Sequence, residues 1–115
     1  MRYLLLIYEE NRRADTTPED WGRMMQAYGE YTQWLDRKGW LGGGEALADA
    51  TDATTVSVRD GRRIVTDGPF AETKEILGGY FLLNAPDLDA AIEAAARIPG
   101  ATTGKIEIRP IMEAG

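Results

Sequence analysis

Histidine and cysteine are both absent from this chain. Without cysteine there is no disulfide framework, no thiolate nucleophile and no sulfur-bound metal site; without histidine the commonest metal ligand is missing as well. Any chemistry must therefore run on carboxylates, Lys, Arg, Tyr and the backbone, and neither a metal nor a cofactor is expected. Basic side chains are outnumbered: 13 Lys and Arg stand against 19 Asp and Glu, a formal net charge of −6. A sequence-independent grip on phosphates needs clustered cations, so this balance argues against nucleic acid as a partner. Long apolar runs are lacking too. The stretch from Tyr3 to Tyr8 is shorter than a signal-peptide core, meets Glu9-Glu10 at once and is followed by no small-residue cleavage site. No other run approaches membrane-spanning length, so no membrane contact is expected and the cytoplasm is the expected location.

What is there suits one ordinary domain over residues 1–115, since 115 residues with 43% hydrophobic content can bury one core. Residues 2–8 form a continuous apolar run rich in strand formers, as in a strand covered on both faces. Thr17-Pro18-Glu19-Asp20 reads as a helix start, with a capping Thr, Pro in the first turn and two acids at the positive end of the dipole. Trp21, Met24, Met25, Tyr28, Thr32 and Leu35 then recur at three- and four-residue steps, and Gly39 follows Arg37-Lys38 as a stop. The spacing predicts a helix over 18–38. Gly42-Gly43-Gly44 permits a close backbone approach or a bend, with a short strand at Glu45-Ala46-Leu47. Thr54 to Arg59 and Arg62 to Thr66 flank Asp60-Gly61, the dipeptide preferred by a two-residue hairpin turn. Gly78 to Ala85 is a second doubly apolar strand. Asp87 caps a second helix with Leu88, Ala91, Ile92, Ala95 and Ile98 on one face, ended by Pro99-Gly100. Lys105 to Ile111 alternates as a last strand whose proline suits a sheet edge.

This order, βαββ(β)αβ, is a ferredoxin-like α+β arrangement with two helices on one face of a mainly antiparallel sheet. The other face should be polar in a monomer. Yet the first strand and the one over 78–85 are apolar at successive positions, so Leu4, Leu5, Phe81 and Leu82 cannot all face the helices. The simplest cover is the same face of a second copy, and a homodimer closing two sheets into a barrel is expected.

Between the hairpin and the second apolar strand stands Asp67-Gly68-Pro69-Phe70, followed by Glu72-Thr73-Lys74-Glu75. Asp, Gly and Pro each have a backbone reason to occur in a turn. That run, with the Met1-Arg2-Tyr3-Leu4-Leu5-Leu6-Ile7-Tyr8 start, Gly43-Gly44-Glu45-Ala46-Leu47, Gly78-Gly79-Tyr80 and the Ile106-Glu107-Ile108-Arg109-Pro110 ending, resembles the YCII-related, DGPF-domain proteins over essentially the whole chain. The resemblance implies a dimeric α/β barrel, the architecture of muconolactone-isomerase-like and antibiotic-monooxygenase-like small proteins. It also implies a stress or signalling context, because some bacterial relatives sit beside extracytoplasmic-function sigma factors. More distant relatives are proposed to use a His-Asp pair; with no histidine, that pair cannot be carried over. A fold of this kind hosts unrelated activities, so function must be argued from the site.

Four residues are candidates. Asp67 is either a catalytic base or a carboxylate capping its own turn, and the turn's composition favours capping. Lys74, between Glu72 and Glu75, is the cation to test for an anionic ligand, against the plain reading of a solvated charge cluster. Period-two alternation supplies the rest: if Val56 and Val58 face the helices, Thr55, Ser57 and Arg59 face the other side, and Lys105, Glu107 and Arg109 do likewise opposite Ile106 and Ile108. A polar patch beside Tyr80 or Phe81 would then bind a small aromatic or carboxylate-bearing molecule, with Arg109 as its anion contact. The alternative for Arg109 is an ion pair with Glu107 or with an acid of a partner chain. Trp21 and Tyr28 are expected in the core, and Trp34 and Trp40 over a pocket mouth or a dimer contact. The glycine run lacks the spacing and Lys of a phosphate loop. The expected function is a binding or regulatory module with a small-molecule pocket between sheet and helices; the alternative is an enzyme of carboxylate-assisted proton transfer.

Overall fold

Alternate residues of the first strand, Tyr3, Leu5 and Ile7, are buried while Leu4, Leu6 and Tyr8 are only half-buried, so the run greasy on both faces has one face fully covered. The computed structural model describes residues 1–10 and 16–113. The elements are β1 (Arg2–Glu10), α1 (Pro18–Lys38), β2 (Leu41–Ala46), β3 (Thr54–Arg59), β4 (Arg62–Asp67), β5 (Glu75–Asn84), α2 (Leu88–Ala96) and β6 (Lys105–Pro110), with 3₁₀ turns at Ala50–Asp52 and Pro99–Thr102. Four strands form one sheet in the order β2-β5-β1-β6, antiparallel throughout. With two helices this is the ferredoxin-like α+β fold that the element order implied. No helix among the described residues is long and apolar enough to cross a membrane.

The helix signals act as expected. The Thr17 hydroxyl accepts from the Asp20 amide at 3.1 Å, and Gly39, at φ 75°, sends its N–H back to the carbonyls of Asp36 and Leu35. Asp87 caps α2 by accepting from the Ala90 amide at 2.9 Å. The buried face of α2, however, is Ala91, Ala94 and Ala95; Leu88 and Ile92 are exposed, and buried Ile98 lies past the helix end. That corrects the expected stripe, because small side chains let α2 lie close against its neighbours. Tyr31 of α1 reaches across to donate its hydroxyl to the Ala94 carbonyl at 2.7 Å. Leu5, Leu35, Leu83, Ala91, Ala94 and Ile98 fill the space between the layers.

Two departures matter for the site. Of the close backbone approach or bend expected of the glycines, the close approach is what occurs: they are part of β2 itself, which begins at Leu41, ahead of the strand expected at 45–47, and carries an irregularity between Leu41 and Gly43 where it pairs with β5. At Gly44 a Cβ would sit 2.8 Å from the Tyr80 carbonyl, so only glycine fits so close to β5. The hairpin β3–β4 is a separate two-stranded sheet. Its turn is as predicted, with φ 51° at Asp60 and 73° at Gly61. Val56 and Val58 do not face the helices; they are 58% and 60% exposed, since the hairpin is not hydrogen-bonded into the main sheet. The radius of gyration of 16.1 Å accordingly exceeds the roughly 13 Å of a fully compact chain of this length.

Candidate functional site

The apolar stripe of α1 continues past its buried C-terminal half, but the sheet beneath it changes character. Opposite the N-terminal half stand Gly44 and Ala46 of β2 and Gly78 and Gly79 of β5, which offer little or no side chain to fill the gap. A cleft of about 450 Å³ results, lined from the helix by Trp21, Met24, Met25 and Tyr28 and from the sheet by Ile7, Glu9, Ile76 and Phe81. Trp21 and Met25 are 44% and 52% exposed, so Trp21 is a cleft wall and not the core residue expected. A concave apolar site of this size with a few converging polar groups is the usual form of a small-molecule site.

The polar groups are placed by backbone irregularity. Glu9 continues the helix-facing series Tyr3, Leu5, Ile7 of β1, pairing with Ile76. Between Ile7 and Tyr8 the register with β5 slips, so that Gly78 is the extra residue of a bulge. A Cβ on Gly78 would come 2.7 Å from Glu9 Oε1, and one on Gly100 would come 2.9 Å from the Tyr28 hydroxyl and 3.9 Å from Glu9 Oε2. Glycine at both positions thus leaves room for a carboxylate and a phenol to converge. The Tyr28 ring stacks on Phe81, with centroids 6.4 Å apart and planes 13° from parallel. Burial pushes the Tyr28 phenol above its ordinary range, the Glu9 charge adds to this, and the Gly100 amide works weakly the other way. Tyr28 is therefore a neutral hydrogen-bonding group at physiological pH, with the Glu9 carboxylate near enough for its charge to act on the phenol.

The residues singled out from the sequence lie mostly elsewhere. Asp67 ends β4 opposite Thr54 and is exposed. In the turn after it the Gly68 amide donates to the Ala53 carbonyl at 2.7 Å and the Thr55 hydroxyl donates to the Gly68 carbonyl at 2.8 Å, which ties the hairpin base together. Lys74 is exposed, its Nζ 3.8 Å from Glu10 Oε1. Arg109 donates to Glu107 Oε2 at 2.6 Å on the sheet face away from the helices, opposite Leu4. Tyr80 lines the cleft from β5, although alternation with Phe81 assigns its ring to that same outer face. Tyr80 and Arg109 thus share a face with β1 between them, while Asp67 and Lys74 are not among the cleft residues. Trp34 and Trp40 pack edge to face at 5.8 Å, with Tyr31 and the Arg97 guanidinium against Trp34, and neither lines the cleft. Among the described residues no group of three acids has the geometry to hold a metal ion.

Glu9 is not among the candidates read from the sequence, because the apolar run ends at Tyr8. Carrying the period of two one step further places it beside the helix. The role of Gly100 has no such signal, since it depends on where α1 brings Tyr28.

The family model described as the YCII-related domain matches residues 1–114. The chain is also 35% identical over 114 residues to an uncharacterized protein of Rhizobium meliloti strain 1021, a match covering 96% of this chain and 92% of that protein.

Proposed function

The chain belongs to the YCII-related family, and from that premise and the cleft geometry we propose that it is a cytoplasmic, homodimeric small-molecule-binding module. One observation carries the binding reading: long apolar side chains of α1 face glycine and alanine on the sheet, so the layers close over α2 and stay open at Trp21. A void lined by half-exposed aromatic and thioether groups gains most when an apolar molecule fills it. Dimerisation is supported by Leu4, Leu6, Tyr80 and Leu82, which alternation sets together on the outer face of the sheet.

Thermal unfolding in the presence of small aromatic compounds tests the binding reading. A ligand held at a hundred times its dissociation constant is expected to add about 2.7 kcal/mol to the folded state. Trp21→Ala and Met25→Ala should lose that stabilisation while still folding. A broad panel that leaves the melting temperature of the parent chain unmoved would end the proposal. Sedimentation at micromolar concentration tests the assembly, and a single-copy species there would overturn it.

A second reading, an enzyme of carboxylate-assisted proton transfer, is favoured by the convergence of Glu9 and Tyr28 at one end of the cleft. In that reading Glu9 removes the proton and Tyr28 hydrogen-bonds the oxygen that gains charge. Deuterium exchange into a bound carbonyl compound, lost in Glu9→Gln, distinguishes it from binding alone.

A further inference from the structure

The charges around the cleft narrow what it can hold. Its charged lining residues are Glu9, Glu10 and Glu45, and no Lys or Arg lines it among the described residues. The three acids are not equivalent. Glu45 is exposed, and Glu10 has Lys74 within 3.8 Å. Glu9 is half-buried, forms no ion pair among the described residues and points its oxygens toward the Gly78 bulge and Gly100. The rings of Trp21, Tyr28 and Phe81 line the same cleft. A half-buried carboxylate in an aromatic-lined cavity attracts a cation twice, through a charge-assisted hydrogen bond and through the ring faces. An anion entering the same space would meet a like charge, with no Lys or Arg among the described lining residues to offset it.

We infer that the cleft takes a small organic amine in its ammonium form, bonded to Glu9, with its hydrocarbon part against Trp21, Met25 and Phe81. This rests on the cleft being a binding site and adds the ligand's charge. It also assigns Glu9 as the specificity-determining residue and Gly78 as the residue that positions it, because a Cβ there would displace Oε1.

Isothermal titration of the full chain with three molecules of matched shape tests this: 2-phenylethylamine, 2-phenylethanol and 3-phenylpropanoate. The amine is expected to bind about tenfold or more tighter than the alcohol, and the carboxylate weakest. Glu9→Gln should bring the amine down toward the level of the alcohol, costing the amine more affinity than it costs the alcohol. Gly78→Ala, whose added methyl comes nearest to the Glu9 side chain, should weaken the amine severalfold and more than the alcohol. It serves as the check if Glu9→Gln proves not to fold by circular dichroism. Carboxylate binding as tight as amine binding, or an amine-to-alcohol ratio unchanged by both substitutions, overturns the assignment of charge while leaving the cleft a binding site. If none of the three saturates at millimolar concentration, the binding reading falls and this inference with it.

Discussion

The two halves of α1 carry one continuous apolar stripe and end in opposite environments. In the C-terminal half Leu35 is fully buried and Tyr31 nearly so, whereas in the N-terminal half Trp21 and Met25 leave about half their surface to solvent. The helix is not what differs. Leu35 belongs to the core with Leu5, Leu83, Ala91 and Ala94, whose side chains fill the interlayer space, while the strand ends near Trp21 present Gly44, Gly78 and Gly79. The contrast shows that this cleft is made by omission on the sheet, and that amphipathicity of the helix alone does not reveal whether its stripe is core or wall.

Truncating the stripe at each end should separate the halves most sharply. Leu35→Ala leaves a cavity in a filled layer and is expected to cost about 2–5 kcal/mol by urea denaturation. Met25→Ala removes a side chain that is half in water already and should cost less than about 1 kcal/mol. Similar losses at the two positions would mean that the cleft closes in solution.

A smaller effect is expected at Tyr31, and it depends on pH. Its hydroxyl donates to the Ala94 carbonyl, and burial pushes the phenol far above its ordinary range, with Tyr28 adding to the shift. An unfolded chain loses this proton near pH 10 while the folded chain keeps it, so above about pH 10 the unfolded state binds fewer protons and stability falls as pH rises. Below that both states hold the proton, and the contribution is intact. Tyr31→Phe should cost about 1 kcal/mol at neutral pH and flatten the alkaline decline. Urea midpoints compared at roughly pH 8 and pH 11 would expose the difference; parallel pH curves for the two proteins would contradict it.

The sequence was most legible where local chemistry decides the outcome. Thr17 and Asp87 act through side chains on amides three residues away, Gly39 and Asp60-Gly61 through their own backbone, and each sits where its type predicts. The ferredoxin-like order of strands followed from element types and their sequence. Legibility failed where the answer depends on a distant partner. Val56 and Val58 alternate like core residues, but nothing local shows that β3–β4 pairs only with itself. Leu88 and Ile92 were displaced from the buried face of α2 by alanines that permit closer packing. The Asp67-Gly68-Pro69-Phe70 motif was the most conspicuous feature of the chain, and its backbone ties the base of the hairpin, outside the cleft. Glu9 and Tyr28 are 19 positions apart and meet only because a bulge at Gly78 and a missing side chain at Gly100 admit both.

The slightest expected change in stability is therefore the most telling for the open half. Glu9 forms no ion pair among the described residues, so Glu9→Gln should shift folding by no more than about 0.5 kcal/mol. Its consequence should appear on Tyr28. The Glu9 charge is the second cause of that phenol's upward shift, after burial, and removing it lowers the pH at which Tyr28 ionises without returning it to the ordinary range. Because less of the shift then remains, the alkaline loss of stability from Tyr28 should also lessen. Ultraviolet titration of tyrosinate in a Tyr31→Phe background, with and without Glu9→Gln, isolates the effect. A Tyr28 transition indifferent to Glu9 would mean that the carboxylate points away from the phenol, and that the two do not form one end of a shared site.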